Sequence, residues 1–246
     1  MKIKKNNLYL VTGGSGFLGY PLVQKIISKG GKVRVLARDE GKLVDLKEKF
    51  PSIEIFPGDI FDRFEVKQAM EGVNGVFHLA ASKHVGLAEI YVRENVKSNT
   101  LGSLNILEES LNNPNCKYRI VRYGNVLYST GSVLCKWKSL IEEGKEVIVT
   151  EPQATRFFWT VDQAIQLIMD CLIDSKDSKP YCPSMKSMSI DNLLKAMIEK
   201  YSNGKNIPVK VIGLQPGENL HEKVLEEGPY SNEADQFTID EIIELI

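Results

Sequence analysis

The sequence predicts an α/β protein: a doubly wound parallel sheet followed by a smaller C-terminal portion. Three observations carry this expectation. Short apolar runs alternate with amphipathic stretches through the first third of the chain. A glycine-rich turn joins the first run to the first amphipathic stretch. The links between segments are short, as right-handed βαβ crossovers require.

In chain order, Leu8–Val11 reads as a buried strand, with a helix after the glycine turn to about Ser28. Lys32–Ala37 is the second strand and Gly41–Lys49 the second helix. Ile53–Phe56 forms a third strand, then a helix over Asp62–Met70 capped by Asp62. Gly75–Ala80 is the fourth strand. A long helical region, Glu89–Asn112, follows with a break near Asn99, and the run Asn112-Asn113-Pro114-Asn115 stops it. Lys117–Tyr123 is strand-like, Val133–Glu143 helical, Glu146–Thr150 a short strand and Asp162–Ile173 an apolar-faced helix. Asp174–Ser187, rich in Ser, Lys, Asp and Pro, is a loop. A helix over Ile190–Tyr201, a strand over Val209–Ile212 and a helix from Ile239 complete the chain.

Composition narrows the classes. The 246 residues carry 31 basic and 32 acidic side chains, a net charge of −1, with 43% hydrophobic and 26% charged residues. A near-neutral chain lacks the basic excess that nucleic-acid or membrane-surface binding needs. The four cysteines (Cys116, Cys135, Cys171, Cys182) form no Cys-x-x-Cys pair, and only His78, His84 and His221 could join them as ligands. Reduced thiols in a cytoplasmic protein, without a metal site, are the expectation. No stretch reads as a membrane span: the most apolar one, Ala164–Ile173, is too short and holds Gln166 and Asp170.

The glycine turn carries the first chemical signal. Gly13, Gly14, Ser15, Gly16, Phe17, Leu18 and Gly19 lie between the first strand and the first helix, and they fit both Gly-x-Gly-x-x-Gly and Gly-x-x-Gly-x-x-Gly. Glycines allow a tight turn and close backbone approach, and free N–H groups at a helix start face a pyrophosphate. The expected fold is therefore Rossmann-like, with a dinucleotide-binding domain over residues 1–150. Residues 151–246 complete the sheet and form a smaller substrate-binding portion. The second strand runs into Arg38 and Asp39. An acid here suits NAD, whereas an arginine accommodates the extra phosphate of NADP. Arg38 comes first and favours NADP over NAD; Asp39 also fits as the cap of the next helix. Asp59 and Ile60, after the third strand, stand where an acid meets an adenine amino group.

The chain resembles the extended short-chain dehydrogenase/reductase family. The likeness rests on Thr12–Gly19, Gly58-Asp59-Ile60, Phe77-His78-Leu79-Ala80-Ala81 and Asn95–Asn99. Ala81–Val85, Val121–Val126, Gly131–Val133, Thr155-Arg156-Phe157 and Pro216–Glu222 narrow it to the polysaccharide-biosynthesis branch, and within it to inverting UDP-N-acetylglucosamine 4,6-dehydratases. In that family NADP oxidises carbon 4 of the sugar, a base removes the carbon 5 proton, water leaves from carbon 6, and the hydride returns there. The resemblance implies an NADP-dependent lyase of surface-glycan biosynthesis with a UDP-sugar as partner, commonly a homo-oligomer. It assigns cofactor contacts to the glycine loop, Arg38, Asp39, Asp59, Ile60, Leu79, Ala80, Lys83 and Asn99. Lys83, Asn125, Thr150, Arg156 and Glu218 match substrate-side positions. Read alone, Arg156 also fits a structural pair with an acid such as Asp162.

One segment is absent. Family members carry a strand ending in Ser-Thr-Asp-Lys and a helix bearing Tyr-x-x-x-Lys before the Arg122-Tyr123-Gly124-Asn125 strand. Here the four residues Asn113–Cys116 separate the long helix from Lys117 and cannot hold either element. No catalytic residue is identifiable, since the only Tyr-x-x-x-Lys, Tyr201 to Lys205, lies at the end of a C-terminal helix. Thr130 stands where the family has an arginine, and Gln215 and Asn219 replace two cations. Each lost charge-assisted contact is worth about 1.5–3 kcal/mol. Dinucleotide binding is thus better preserved than catalysis. The vacant slot predicts that Lys117–Tyr123 moves next to Gly75–Ala80 and pairs with it.

Overall fold

The computed structural model describes residues 2–82, 90–112 and 116–246. Contacts divide the chain into two compact units, residues 1–118 with 172–174, and residues 119–171 with 175–246. Position 150, the expected domain boundary, lies inside the second.

The first unit is the predicted α/β arrangement. Strands β1 (Leu8–Thr12), β2 (Lys32–Ala37), β3 (Glu54–Pro57) and β4 (Gly75–His78) form a parallel sheet in the order β3-β2-β1-β4. Leu10 and Val11 of the central strand are fully buried, the pattern of a strand covered on both faces. Helix α1 (Gly19–Ser28) buries Leu22, Val23 and Ile26, a face set by helical spacing. Helix α2 (Glu40–Lys49) is capped by Asp39. Helix α3 (Arg63–Ala69) is capped by Asp62, whose carboxylate accepts from the N–H groups of Phe64 and Glu65 at 2.8 and 3.1 Å.

The long helix differs from expectation. No break interrupts it at Asn99; α4 (Val92–Asn95) continues through a π-helical turn (Val96–Gly102) into α5 (Ser103–Leu111). The π turn inserts one residue and keeps the backbone helical. Val92, Val96, Leu101, Leu104, Leu107 and Leu111, each at least 40% exposed, follow one another at spacings that the extra residue holds on one side.

The second unit packs helices α6 (Val133–Glu143), α8 (Ile190–Tyr201) and α9 (Ile239–Leu245) around a core that includes Trp137, Ile141, Met188, Leu193, Met197 and Ile242. Strands β6 (Asn125–Val126), β8 (Thr155–Trp159) and β10 (Ser187–Ser189) make a mixed ladder with β8 central. Strand β7 (Val147–Val149) pairs with β11 (Val209–Val211). Helix α7 (Val161–Asp174) follows β8 with a reciprocal capping box between Thr160 and Gln163.

One expectation is overturned. Of Lys117–Tyr123 only Ile120–Val121 (β5) is strand, and it pairs in parallel with β9 (Pro180–Tyr181), inside the stretch expected to be loop. Arg122 N–H continues that ladder to the Tyr181 carbonyl at 3.1 Å. The pairing partner comes from 60 residues downstream (Ile120 with Pro180), and β4, paired with β1, ends its sheet. Sequence proximity to the vacant slot did not decide the register; the edge offered by β9 did. No helix among the described residues is long and apolar enough to cross a membrane.

Candidate dinucleotide and sugar sites

The glycine loop is shaped by contact as well as by turn geometry. Gly13 has φ +68°, and a Cβ there would meet Ala80 Cα and N at 3.0 Å. A Cβ on Gly19 would collide with the Gly13 carbonyl, so the helix start lies directly on the turn. Gly16 N–H closes that turn on Gly13 O at 2.9 Å, and Tyr20 N–H bonds Gly16 O at 3.0 Å. No side chain caps α1, and its first turn holds no acid. Tyr20 N–H is thus engaged and Pro21 has none, while the positive end of the helix carries no side-chain cap or acid that would compete with an anion. Ser15, Phe17 and Leu18 are half-buried beside exposed Gly16, a cradle that fits a dinucleotide pyrophosphate. Ser15 also lines a small cavity of about 160 Å³ with Tyr20, Lys42 and Lys49.

At the end of β2 the two charged candidates part ways. Asp39 accepts from Lys42 N–H at 3.0 Å and lies 3.1 Å from Lys42 Nζ. The Lys42 hydrogen bonds hold its carboxyl below the usual carboxylate range. Arg38 stays exposed, with Nη1 3.7 Å from Asp59 Oδ2. Asp59 Oδ1 accepts from Phe61 N–H at 3.0 Å, and its own N–H donates to Glu65 Oε2 at 2.7 Å. Ile60 is buried in an apolar cluster with Leu10, Leu36, Val66 and Ile106, so it holds the loop rather than offering a polar contact.

The end of β4 is tied to β1 and to the long helix. The N–H groups of Leu79 and Ala80 donate to Thr12 Oγ1 at 3.1 and 3.2 Å. His78 Nδ1 is 2.7 Å from Thr12 Oγ1, and His78 Nε2 is 2.9 Å from Ser103 Oγ. Burial pushes the imidazole pKa down. Asn99, on the π turn, grips Ser82 twice: Oδ1 accepts its N–H at 2.7 Å and Nδ2 donates to its carbonyl at 2.8 Å. Lys83 and His84 lie outside the described residues.

In the second unit, Asn125 and Arg156 come together on an acid not assigned from sequence. Glu222 lies 3.4 Å from Arg156 Nε and accepts from Asn125 Nδ2 at 3.2 and 3.4 Å. Burial raises the Glu222 pKa, opposed first by the Arg156 charge. Arg156 Nη1 also donates to the carbonyls of Thr155 and Leu220, at 2.8 and 3.1 Å, so its structural partner is Glu222, not Asp162. Behind it, buried Thr155 and Ser231 share a 2.6 Å hydrogen bond, and Thr155 Oγ1 lies 2.8 Å from His221 Nδ1. Glu218 sits in its own turn, accepting from Gln215 N–H at 3.0 Å, and Thr150 follows β7. The Tyr201 hydroxyl bonds Ile246 O and Tyr128, whereas Lys205 Nζ donates to Glu142 O at 2.6 Å, so that Tyr-x-x-x-Lys forms no pair. His221-Glu222 was visible within the Pro216–Glu222 run and Thr12 only as the head of the Thr12–Gly19 run; Ser231 lay in no motif.

A family described as polysaccharide biosynthesis protein matches residues 9–115 and 110–243. The chain belongs to this polysaccharide-biosynthesis family. It is a branch of the extended short-chain dehydrogenase/reductases. Within the family, an uncharacterized membrane protein of Methanocaldococcus jannaschii is 32% identical over 96% of this chain and 86% of its own length. An inverting UDP-N-acetylglucosamine 4,6-dehydratase of Campylobacter jejuni is 28% identical over 89% of this chain and 77% of its own. A UDP-glucose 4-epimerase of Rickettsia rickettsii is 27% identical over 88% and 76%. The crystal structure of Pen from Bacillus thuringiensis superposes with a TM-score of 0.88 at 25% identity, covering 98% of each chain. The two family matches meet at residues 110–115. Since 96% of 246 residues is about 236, roughly 50 of the 286 positions aligned with the archaeal family member have no counterpart here.

Proposed function

We propose that this chain binds NADP in preference to NAD, together with a UDP-sugar of the N-acetylglucosamine class. In this reading it is a cytoplasmic 4,6-dehydratase-like protein of glycan biosynthesis whose chemical step is impaired. One observation carries the reading: an uncapped, acid-free α1 start lies on a tight glycine turn, while the chain passes from Asn112 to Lys117 without the family's acid–base segment. The dinucleotide falls to the first unit and the sugar to the second.

The residues support this division of roles. The cradle N–H groups hold the pyrophosphate. Arg38 meets the additional phosphate of NADP, and Asp39 is engaged as a cap. Asp59 and the backbone at Leu79 and Ala80 take the adenosine and ribose sides, and Asn99 and Lys83 the edge of the site. Asn125, Thr150 and Glu218 contact the UDP-sugar, with Arg156 fixing Asn125 through Glu222. A bound nicotinamide would supply hydride transfer at carbon 4. Proton removal at that hydroxyl needs a tuned group within hydrogen-bond reach, and the tyrosine that does this in relatives has no counterpart.

Calorimetric titration with NADPH and NADH, then incubation with NADP and UDP-N-acetylglucosamine, tests the reading. Tight NADPH binding without a 4-keto-6-deoxy sugar is expected, and it would favour a sensor or partner role over turnover. Formation of that product overturns the impairment, and failure to bind either dinucleotide overturns the whole reading.

A further inference from the structure

We infer that His78 is a positioning residue of the dinucleotide site, held as its neutral Nε2–H tautomer by a hydrogen-bond relay that runs from Thr12 to Asn99. The inference rests on the dinucleotide reading above for its function, but not for its geometry.

The direction follows from the two ends of the relay. At one end the N–H groups of Leu79 and Ala80 can only donate: Ala80 N–H donates to Thr12 Oγ1 at 3.2 Å, and Leu79 N–H is shared between Thr12 Oγ1 at 3.1 Å and the Thr12 carbonyl at 3.2 Å. A hydroxyl has two acceptor sites and one hydrogen, so the Thr12 hydrogen is left for His78 Nδ1 at 2.7 Å. That nitrogen must be bare. The ring hydrogen is then on Nε2 and donates to Ser103 Oγ at 2.9 Å. Ser103 passes its own hydrogen to the Asn99 carbonyl at 2.9 Å, and a carbonyl can only accept. Donors at one end and an acceptor at the other favour this direction over its reverse, which would leave the Thr12 hydrogen without its acceptor. An imidazolium would carry a hydrogen on Nδ1, in competition with two backbone donors for the same buried oxygen. Thr12 is fully buried, so no water replaces a lost partner cheaply.

The relay joins three parts of the candidate site. Thr12 immediately precedes Gly13, where a Cβ would meet Ala80 backbone at 3.0 Å and Leu79 C at 3.1 Å. Those two residues carry the backbone assigned to the cofactor. Asn99 fixes Ser82 through its side chain while its carbonyl ends the relay. Removing the Nδ1 acceptor frees the Thr12 hydrogen in a buried place and loosens the strand end against the cradle.

Two measurements test this. Long-range nitrogen–proton NMR of the wild-type protein at neutral pH reports the tautomer directly, with or without dinucleotide; a neutral Nε2–H ring is expected, and an Nδ1–H ring or an imidazolium overturns the relay. NADPH titration then compares His78→Asn, whose Oδ1 restores the acceptor for Thr12, with His78→Leu, which does not. Binding within about threefold of wild type for His78→Asn and a loss of about tenfold or more for His78→Leu is expected. Equal affinities for the two variants overturn the positioning role, and so does equal loss in both. If His78→Leu does not fold, Thr12→Val, which removes the same hydrogen bond from the other side, takes its place in the comparison. A wild-type protein that binds neither NADPH nor NADH refutes the dinucleotide reading instead, while the tautomer measurement still judges the relay.

Discussion

Replacing Gly13 by alanine separates two reasons for a glycine at that position. Gly13 and Gly72 have nearly the same backbone conformation, φ +68° and +72°. They differ in surroundings: a Cβ at Gly72 meets nothing within 4 Å, whereas one at Gly13 meets Ala80 Cα and N at 3.0 Å and Leu79 C at 3.1 Å. The left-handed conformation alone costs an alanine about 1–2 kcal/mol. In a chain of this size that lowers Tm by roughly 2–8 °C, the whole effect expected for Gly72→Ala. Gly13→Ala carries the same term plus forced displacement of packed backbone, about 1–3 kcal/mol more. It also pushes the β4 end away from the cradle, so NADPH affinity falls with stability. Thermal unfolding of both variants, followed by NADPH titration at a temperature where each is folded, reads the two effects apart. Equal Tm values, together with wild-type NADPH affinity in Gly13→Ala, would refute the claim that close backbone approach shapes this site.

Three further outcomes are expected. Arg38→Ala lowers NADPH affinity by about tenfold and leaves NADH affinity unchanged, since only the former carries the phosphate that a guanidinium binds; parallel titrations check it, and equal losses would reassign Arg38 to the shared part of the dinucleotide. Burial sets the Glu222 pKa above its ordinary 4.5, so the stability it contributes is present below that value and lost as pH rises through the folded one. Denaturant unfolding of wild type and Glu222→Gln between about pH 4 and pH 7 should show the wild type losing ground as pH rises; a flat or opposite difference contradicts this. Thr160→Ala removes one half of the α7 capping box and should cost about 1 kcal/mol in the same assay, without altering NADPH affinity.

The first unit was legible because its signals are local. Each βα step in Leu8–His78 carries its own apolar run, cap or glycine turn, and Asp39 and Asp62 cap the helices that their positions announced. The second unit depends on pairings between distant, short segments. Thr155–Trp159, assigned no element from the sequence, becomes the central strand of a ladder only because β6 and β10 lie on its two sides. Ile120–Val121 offers two residues, too few for periodicity to choose a partner, and β9 takes it. The cluster at Glu222 has the same origin. Asn125, Arg156 and Glu222 are separated by 31 and 66 residues, and no local pattern announces that they meet. At Asn99 composition hid a different fact, since a π turn and a helix break look alike when apolar spacing slips by one residue.

That π turn gives the long helix slack of one residue. Within Val96–Gly102 the chain accommodates one residue more than an α-helix of equal rise, so a single-residue deletion there could be absorbed without a break in helical hydrogen bonding. Five residues through the π turn advance the chain by nearly the same angle as four through an α-helix, so everything beyond keeps its side relative to what comes before. Ser103 would still face His78, and Leu101, Leu104, Leu107 and Leu111 would stay on the line begun by Val92 and Val96. The helix can thus change its length by one residue here without changing what it presents. The side that α5 turns towards His78 is therefore set on both sides of the turn, and the turn itself is where the helix has slack.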